Sequence, residues 1–178
     1  MTLLSARIDT PVGPMILVHD GATLFAAEFH EDAARIGVSL KRFGLGPVAE
    51  ATAVPEWLGE AFAAYFAGAL TALEGLPTAR HFGSDFERAV WAELRRIPAG
   101  ETRSYGAVAR ALGSPATGDG GLARAVGTAN GRNPLAIVVP CHRVIGADGS
   151  LTGYAGGLHR KRWLLAHEGS LVEQPRLL

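Results

Sequence analysis

Cys141 is the only cysteine in this chain of 178 residues, and His142 follows it directly. A thiol beside an imidazole that can take its proton has the parts of an activated nucleophile. The apolar run Leu135-Ala136-Ile137-Val138-Val139 reads as a buried strand ending at Pro140. Such a strand would deliver Cys141 to the rim of a core, where a rigid scaffold presents it to a ligand. The plainer reading stands beside it: free cysteine is among the most buried residue types and commonly serves as a small hydrophobe. What flanks the pair bears on the choice.

Length and composition bound the elements that must position this pair. At 178 residues, one large domain or two small ones is expected. Hydrophobic residues make up 48% and charged residues 19%, enough apolar material for a sizeable core. One cysteine excludes an intramolecular disulfide and, with this composition, points to a reducing cytosol. No basic, apolar leader opens the chain, and no run reaches the ~18 apolar residues that span a bilayer. The expectation is a cytoplasmic protein with no membrane partner. Zero net charge conceals an asymmetry: residues 1–80 carry 5 Lys+Arg against 9 Asp+Glu, whereas residues 81–168 carry 11 against 7. The basic residues are nearly all arginines, which suit phosphate, though so modest an excess does not by itself establish nucleic-acid binding.

The acidic half reads as a small sheet followed by a helix. Ala6–Asp9, Met15–Val18 and Leu24–Phe29 look like strands, separated by Pro11, Gly13-Pro14 and Asp20-Gly21. Trp57, Leu58, Ala61, Phe62, Tyr65 and Phe66 fall at helical spacing behind Pro55. His19 and His30 are isolated and suggest no metal. The stretch from Gly68 to Arg80 is the best linker.

The basic half is denser in signals. Ser84-Asp85-Phe86-Glu87 has the spacing of a capping box and opens a helix with Phe86, Val90, Trp91 and Leu94 on one face. A second helix carries Tyr105, Val108, Ala109 and Leu112, closed by Gly113. A third runs from Gly121 to Asn130, with small residues at Ala123, Ala125, Gly127 and Ala129 and a stop at Gly131. Helix, link, helix in a basic half is the pattern of a helix-turn-helix. The small residues of the third helix suit close packing on another helix. They also suit approach to a nucleic acid, with Arg124 projecting as the one long side chain.

With these residues in place, the chain resembles the O6-alkylguanine-DNA alkyltransferase family. The likeness rests on Pro140-Cys141-His142-Arg143-Val144-Ile145, preceded by Arg124-Ala125-Val126-Gly127 and Asn130-Gly131-Arg132-Asn133-Pro134. Gly153-Tyr154-Ala155-Gly156-Gly157-Leu158 and Lys161-Arg162-Trp163-Leu164-Leu165-Ala166-His167-Glu168-Gly169 continue it. It is continuous from about Phe86 to Gly169 and weaker over residues 1–80, where it rests on Thr10-Pro11-Val12-Gly13-Pro14.

The resemblance implies an α/β protein of two parts. Residues 1–80 would form an N-terminal ribonuclease-H-like α/β domain. Residues 81–170 would form a mostly helical, winged-helix-like domain holding the DNA site and the cysteine, and 171–178 a tail. It implies a monomer that binds duplex DNA, flips an O6-alkylguanine (or O4-alkylthymine) out of the stack, and takes the alkyl group onto Cys141. The product is a thioether, which has no hydrolysable acyl bond, so turnover ends after one event and no cofactor is implied. His142 resembles the family's base, acting through a water, and Glu168 the acid that orients it. On an extended segment, neighbouring side chains point to opposite sides, which leaves room for that water. Tyr105 resembles the donor to the leaving guanine at N3. Tyr154 and the Ala155 N–H resemble the wall and O6 donor of the guanine pocket, and Val144 contributes its carbonyl. Asn133 resembles the hinge asparagine between recognition helix and active-site strand. Arg124 resembles the finger that fills the gap left by the extruded base, with Ala125 and Gly127 close to DNA.

Two departures bear on function. Residues 114–123 hold about five more residues than the family usually has between the two helices, and three are glycines. Such a loop costs little in closure entropy, so an exposed bulge is expected. Position 136 is Ala where some relatives carry proline in the pocket wall, which leaves the preference among alkyl groups open. The zinc site of certain relatives uses N-terminal cysteines absent here, so no metal is carried over. Two rivals remain. A damage-recognition relative without transfer activity would replace the cysteine. A cysteine hydrolase would leave Arg124 and the helix pair without a purpose.

Overall fold

Leu3–Ile8 (β1), Met15–His19 (β2) and Leu24–Phe29 (β3) form an antiparallel meander, and Val48–Glu50 (β4) pairs parallel to β1, giving the order β3-β2-β1-β4. The computed structural model describes residues 2–29, 33–50, 53–113 and 120–171, without the side chains of 33–35. His30, residues 114–119 of the lengthened loop and the tail from 172 lie outside the described residues. The turn between β1 and β2 is closed by the Gly13 N–H donating to Thr10 O at 3.0 Å. Gly13 takes φ +105°, a conformation open to glycine at no steric cost.

Each face of the sheet has its own cover. Ala33–Arg42 (α1) packs Ile36 and Leu40 with Leu3, Val18, Phe25 and Phe82. This helix was not among the sequence expectations. Among its described side chains the buried stripe is the i, i+4 pair Ile36 and Leu40 with Gly37 beside it, too little to register as a period. On the other face, Met15, Leu17, Ala27 and Phe29 join Leu58, Phe62 and Tyr65 of Glu56–Phe66 (α2). That same cluster continues without a break into Val90, Leu94, Val108, Val126 and Leu164 of the basic half. The stretch from Gly68 to Arg80, expected as a linker, is tied to β3 and the core: Leu24 N–H donates to Pro77 O at 2.8 Å, Ala79 N–H donates to Leu24 O at 2.9 Å, and Leu73 enters the core.

The basic half follows its capping signals. Asp85–Leu94 (α3) starts from the reciprocal box, with Ser84 Oγ accepting from Glu87 N–H at 3.2 Å and Glu87 Oε2 accepting from Ser84 N–H at 2.9 Å. Arg103–Ser104 (β5) leads into Tyr105–Ala111 (α4), whose N-cap Ser104 accepts from Ala107 N–H at 3.1 Å. Gly121–Gly131 (α5) packs against α3 and α4, and Val144–Ile145 (β6) pairs parallel with β5. Leu158–His167 (α6) closes the chain.

The apolar run before the cysteine is not a strand. Leu135 and Ala136 each make a single bridge, Ile137 and Val138 turn, and Val139 N–H donates back to Leu135 O at 2.9 Å. Ile137 sits at φ +71°, a conformation uncommon for a β-branched residue. A continuous apolar run marks burial, and here burial comes from a tight turn pressed into the core rather than from a ladder. Cys141 then begins a 3₁₀ turn, Cys141–Arg143, with Pro140 as its N-cap. The extended geometry expected at Cys141-His142 is therefore replaced by one of about three residues per turn.

Candidate active site

Cys141 opens onto a cleft of about 370 Å³, and its side chain remains largely covered at 7% exposure. The cleft draws on five parts of the chain. Tyr105 comes from the first turn of α4, Gly127 and Asn130 from α5, and Tyr154, Ala155 and Gly156 from the loop before α6. Asn133 and Ala136 form the wall beside the cysteine, and Glu28 and Phe29 reach in from the end of β3. Burial pushes the Cys141 thiol up to about 11, with Glu28 adding to the rise against a hydrogen bond from Asn133 and the charge of Lys161. The resting residue is a neutral thiol that needs a base at the moment of attack.

The candidate for that base is the next residue in the chain. His142 is fully buried, and its Nε2 faces Glu168 Oε1 at 3.0 Å. Glu168 is the C-cap of α6 and takes two bonds from Arg143, Nε to Oε2 at 2.9 Å and Nη2 to Oε1 at 2.8 Å. Tyr65 OH adds a third donor at 2.7 Å. Burial alone would raise the Glu168 carboxyl, but the hydrogen bonds from His142 and Arg143 outweigh it and hold the group ionised. Burial lowers His142 further than Glu168 raises it, so the imidazole rests neutral. An ionised acceptor at Nε2 fixes the tautomer: Nε2 carries the proton and Nδ1 is the acceptor. Nδ1 is buried and has no hydrogen-bond partner among the described residues. In the 3₁₀ turn, successive side chains diverge by about 120°, and Cys141 and His142 make no direct hydrogen bond.

Other expected residues are distributed as follows. Asn133 accepts from Leu135 N–H at 2.9 Å and donates to Val139 O at 2.8 Å, tying the end of α5 to the turn before the cysteine. Tyr105 OH donates to Thr152 O at 3.1 Å. Tyr154 stands with its ring edge toward Phe29, its hydroxyl buried with no hydrogen-bond partner among the described residues. Val144 is completely buried and is not part of the cleft lining; its carbonyl accepts from Lys161 Nζ at 2.6 Å. Arg124 is exposed on α5, Ala125 is half-buried beside it, and neither lines the cleft.

Sequence reasoning missed four buried supports. Arg143 and Tyr65 hold Glu168, the second from 103 residues away. Asn130 donates to Cys141 O at 3.3 Å. Lys161, fully buried, joins Val144 O and Thr152 O, and burial brings its ammonium down to about 8. Arg143 was visible as a charge inside an apolar run, but Tyr65 looked like any helical core aromatic.

Residues 85–170 match the family described as 6-O-methylguanine DNA methyltransferase, DNA binding domain. A methylated-DNA–protein-cysteine methyltransferase of Shigella flexneri is 44% identical over 97% of this chain and 99% of its own length. The chain belongs to the methylated-DNA–protein-cysteine methyltransferase family. Another member, from Mycobacterium tuberculosis, is 47% identical over 92% of this chain and 90% of its own. Among solved structures, Mycobacterium tuberculosis OGT in complex with DNA superposes with a TM-score of 0.78 at 42% identity, covering 96% of this chain and 94% of that one. The O6-methylguanine-DNA methyltransferase of Pyrococcus kodakaraensis gives 0.71 at 25% identity, over 94% and 99%. The methyltransferase likeness therefore spans the acidic half as well, where motifs alone were sparse.

Proposed function

We propose that this protein repairs DNA by moving a methyl or other small alkyl group from O6 of guanine, or O4 of thymine, in duplex DNA to Cys141 Sγ. The observation that carries the reading is the covered thiol at the cleft with the His142–Glu168–Arg143 array behind it. In the reaction, the Sγ–C bond forms as the C–O6 bond breaks. The thiol proton passes through a water to His142 Nδ1, and the imidazolium then gives up a proton through solvent to the departing guanine, which leaves neutral. Glu168, kept ionised by Arg143, stabilises the imidazolium that forms for that moment.

In this reading the damaged base is flipped into the cleft, since a side chain so covered cannot reach a stacked base. Tyr105 exchanges its bond to Thr152 O for the leaving guanine at N3. The Ala155 N–H donates to O6 against the Tyr154 wall, and the Val144 carbonyl takes part by exchanging its bond to Lys161 Nζ. Arg124 fills the vacated stack, Ala125 and Gly127 let α5 approach DNA, and Asn133 acts as the hinge. The same proposal takes residues 1–80 as a ribonuclease-H-like part and 81–170 as a winged-helix-like part, followed by a tail, in a cytoplasmic monomer.

The test is intact mass after mixing the protein with a short duplex carrying one O6-methylguanine. One methyl mass mapped to Cys141, saturating at one per protein and absent from Cys141→Ala, is the expected result. Tight lesion binding without a mass gain would instead mark a damage-recognition protein.

A further inference from the structure

Among the described residues of the acidic half, Glu28 and Phe29 line the cleft, and Phe29 is held there from three sides. The Arg160 guanidinium lies over its ring with Cζ 4.4 Å from the centroid. Tyr154 meets it edge-on at 6.2 Å between centroids. Gly156 rests so close that a Cβ there would collide with Cδ2 and Cε2 of the ring. Arg160 is itself fixed: Nε donates to Val12 O at 2.6 Å and Nη1 to Gly156 O at 3.0 Å. A Cβ at Gly13 would come within 2.9 Å of Arg160 Nη2, which gives the Gly13-Pro14 turn a purpose beyond chain reversal. The strand carrying Phe29 is also sewn to the cysteine segment, with Ala27 N–H donating to Pro134 O and Ala136 N–H to Ala27 O, both at 2.9 Å.

These contacts hold a large ring in the lining of the cleft that the small side chain of Ala136 and the thiol share. We propose that Phe29, clamped by Arg160 and Gly156, is the wall that sets how large an O6-alkyl group the cleft accepts. The inference rests on the alkyl-transfer reading and adds to it a determinant from the acidic half. A ring clamped by a cation and seated on a backbone cannot swing aside, so a bulky substituent meets it directly. Shortening the side chain opens the cleft without touching Cys141, His142 or Glu168.

The experiment is single-turnover transfer from saturating duplex carrying either O6-methylguanine or O6-benzylguanine, in wild type, Phe29→Leu, Phe29→Ala and Arg160→Met. The readout is the benzyl-to-methyl rate ratio, which a general loss of stability would not move. Pocket discrimination between substituents of different bulk is worth about tenfold or more. The ratio should rise by about that factor in Phe29→Ala, less in Phe29→Leu, and also in Arg160→Met, where the ring is released. Phe29→Leu keeps the test open if the alanine variant does not fold. A ratio unchanged in Phe29→Leu and Arg160→Met would overturn the wall and leave Phe29 as packing alone. Absence of transfer from wild type with either duplex would overturn the alkyl-transfer reading, and this inference with it.

Discussion

Replacing Arg143 by Met removes the positive end of a pair whose side chains are 7% and 0% exposed. Glu168 loses two of its four hydrogen bonds, and the Ile97 carbonyl loses its donor at 2.6 Å. A buried carboxylate stripped of its partner costs about 3–5 kcal/mol. In a chain of this length each kcal/mol lowers Tm by about 2–4 °C, so the variant should melt about 6–20 °C below wild type. Circular dichroism melts at pH 7 would read this, with Arg143→Lys between the two because it keeps charge and loses the fork. Glu168→Gln should destabilise as well, since it leaves the arginine uncompensated. Arg143→Met combined with Glu168→Gln should lose less than the two single changes added together. A Tm loss under about 3 °C for Arg143→Met, or strict additivity in the pair, would refute the account of Glu168 as a charge held ionised by Arg143.

Four further outcomes follow from other contacts. Burial would raise the Glu87 carboxyl, yet hydrogen bonds from Arg42, the Ser84 N–H and Arg132 hold it down to about 2 from 4.5. Its stabilising share is present above pH 4.5 and lost as pH falls toward 2, so Glu87→Gln should show a shallower acid limb in denaturant melts across that window; parallel limbs would contradict this. Lys161→Met removes the Nζ donor from Val144 O and leaves Thr152 O with Tyr105 OH, and it should cost about 1–3 kcal/mol, with faster amide exchange over 150–156 as the specific signature. Gly156→Ala should destabilise the fold and Phe29→Leu should recover part of the loss in thermal melts, because both report on one close contact. Arg124→Ala should slow transfer from duplex but leave transfer from a free O6-alkylguanine base unchanged, since a free base leaves no gap to fill; equal slowing of both would count against the finger.

The sequence carried the local structure well where a local cause existed. Ser84 and Glu87 announced α3 by a side-chain pattern that the folded chain satisfies on both arms. Leu24–Phe29 was legible as β3 because an apolar run between turn residues has few other uses. The run before Pro140 failed for the same reason it was noticed. Continuous burial does not say whether the backbone is a strand or a folded turn, and Ile137 at φ +71° leaves no trace in composition. At the site, Cys141 and His142 announced themselves by adjacency. Glu168 came only with the family resemblance, Arg143 stood in the quoted motif without a role, and Tyr65 came with neither, because a bond across 103 residues has no period to detect.

The bridges from β3 have a consequence for solubility. The outer edge of a strand offers unpaired N–H and C=O groups on which another chain can build. Here Leu24 is occupied by the segment around Thr78, and Ala27 by Leu135 and its neighbours. The stretch that carries the nucleophile thus doubles as a guard on the edge of an apolar strand, Leu-Phe-Ala-Ala-Glu-Phe. Any event that lifts residues 134–136, such as a bulky adduct wedged at Cys141, uncovers half of that edge. A protein spent in this way would be prepared for self-association by the same hydrogen bonds that had held its cysteine in place.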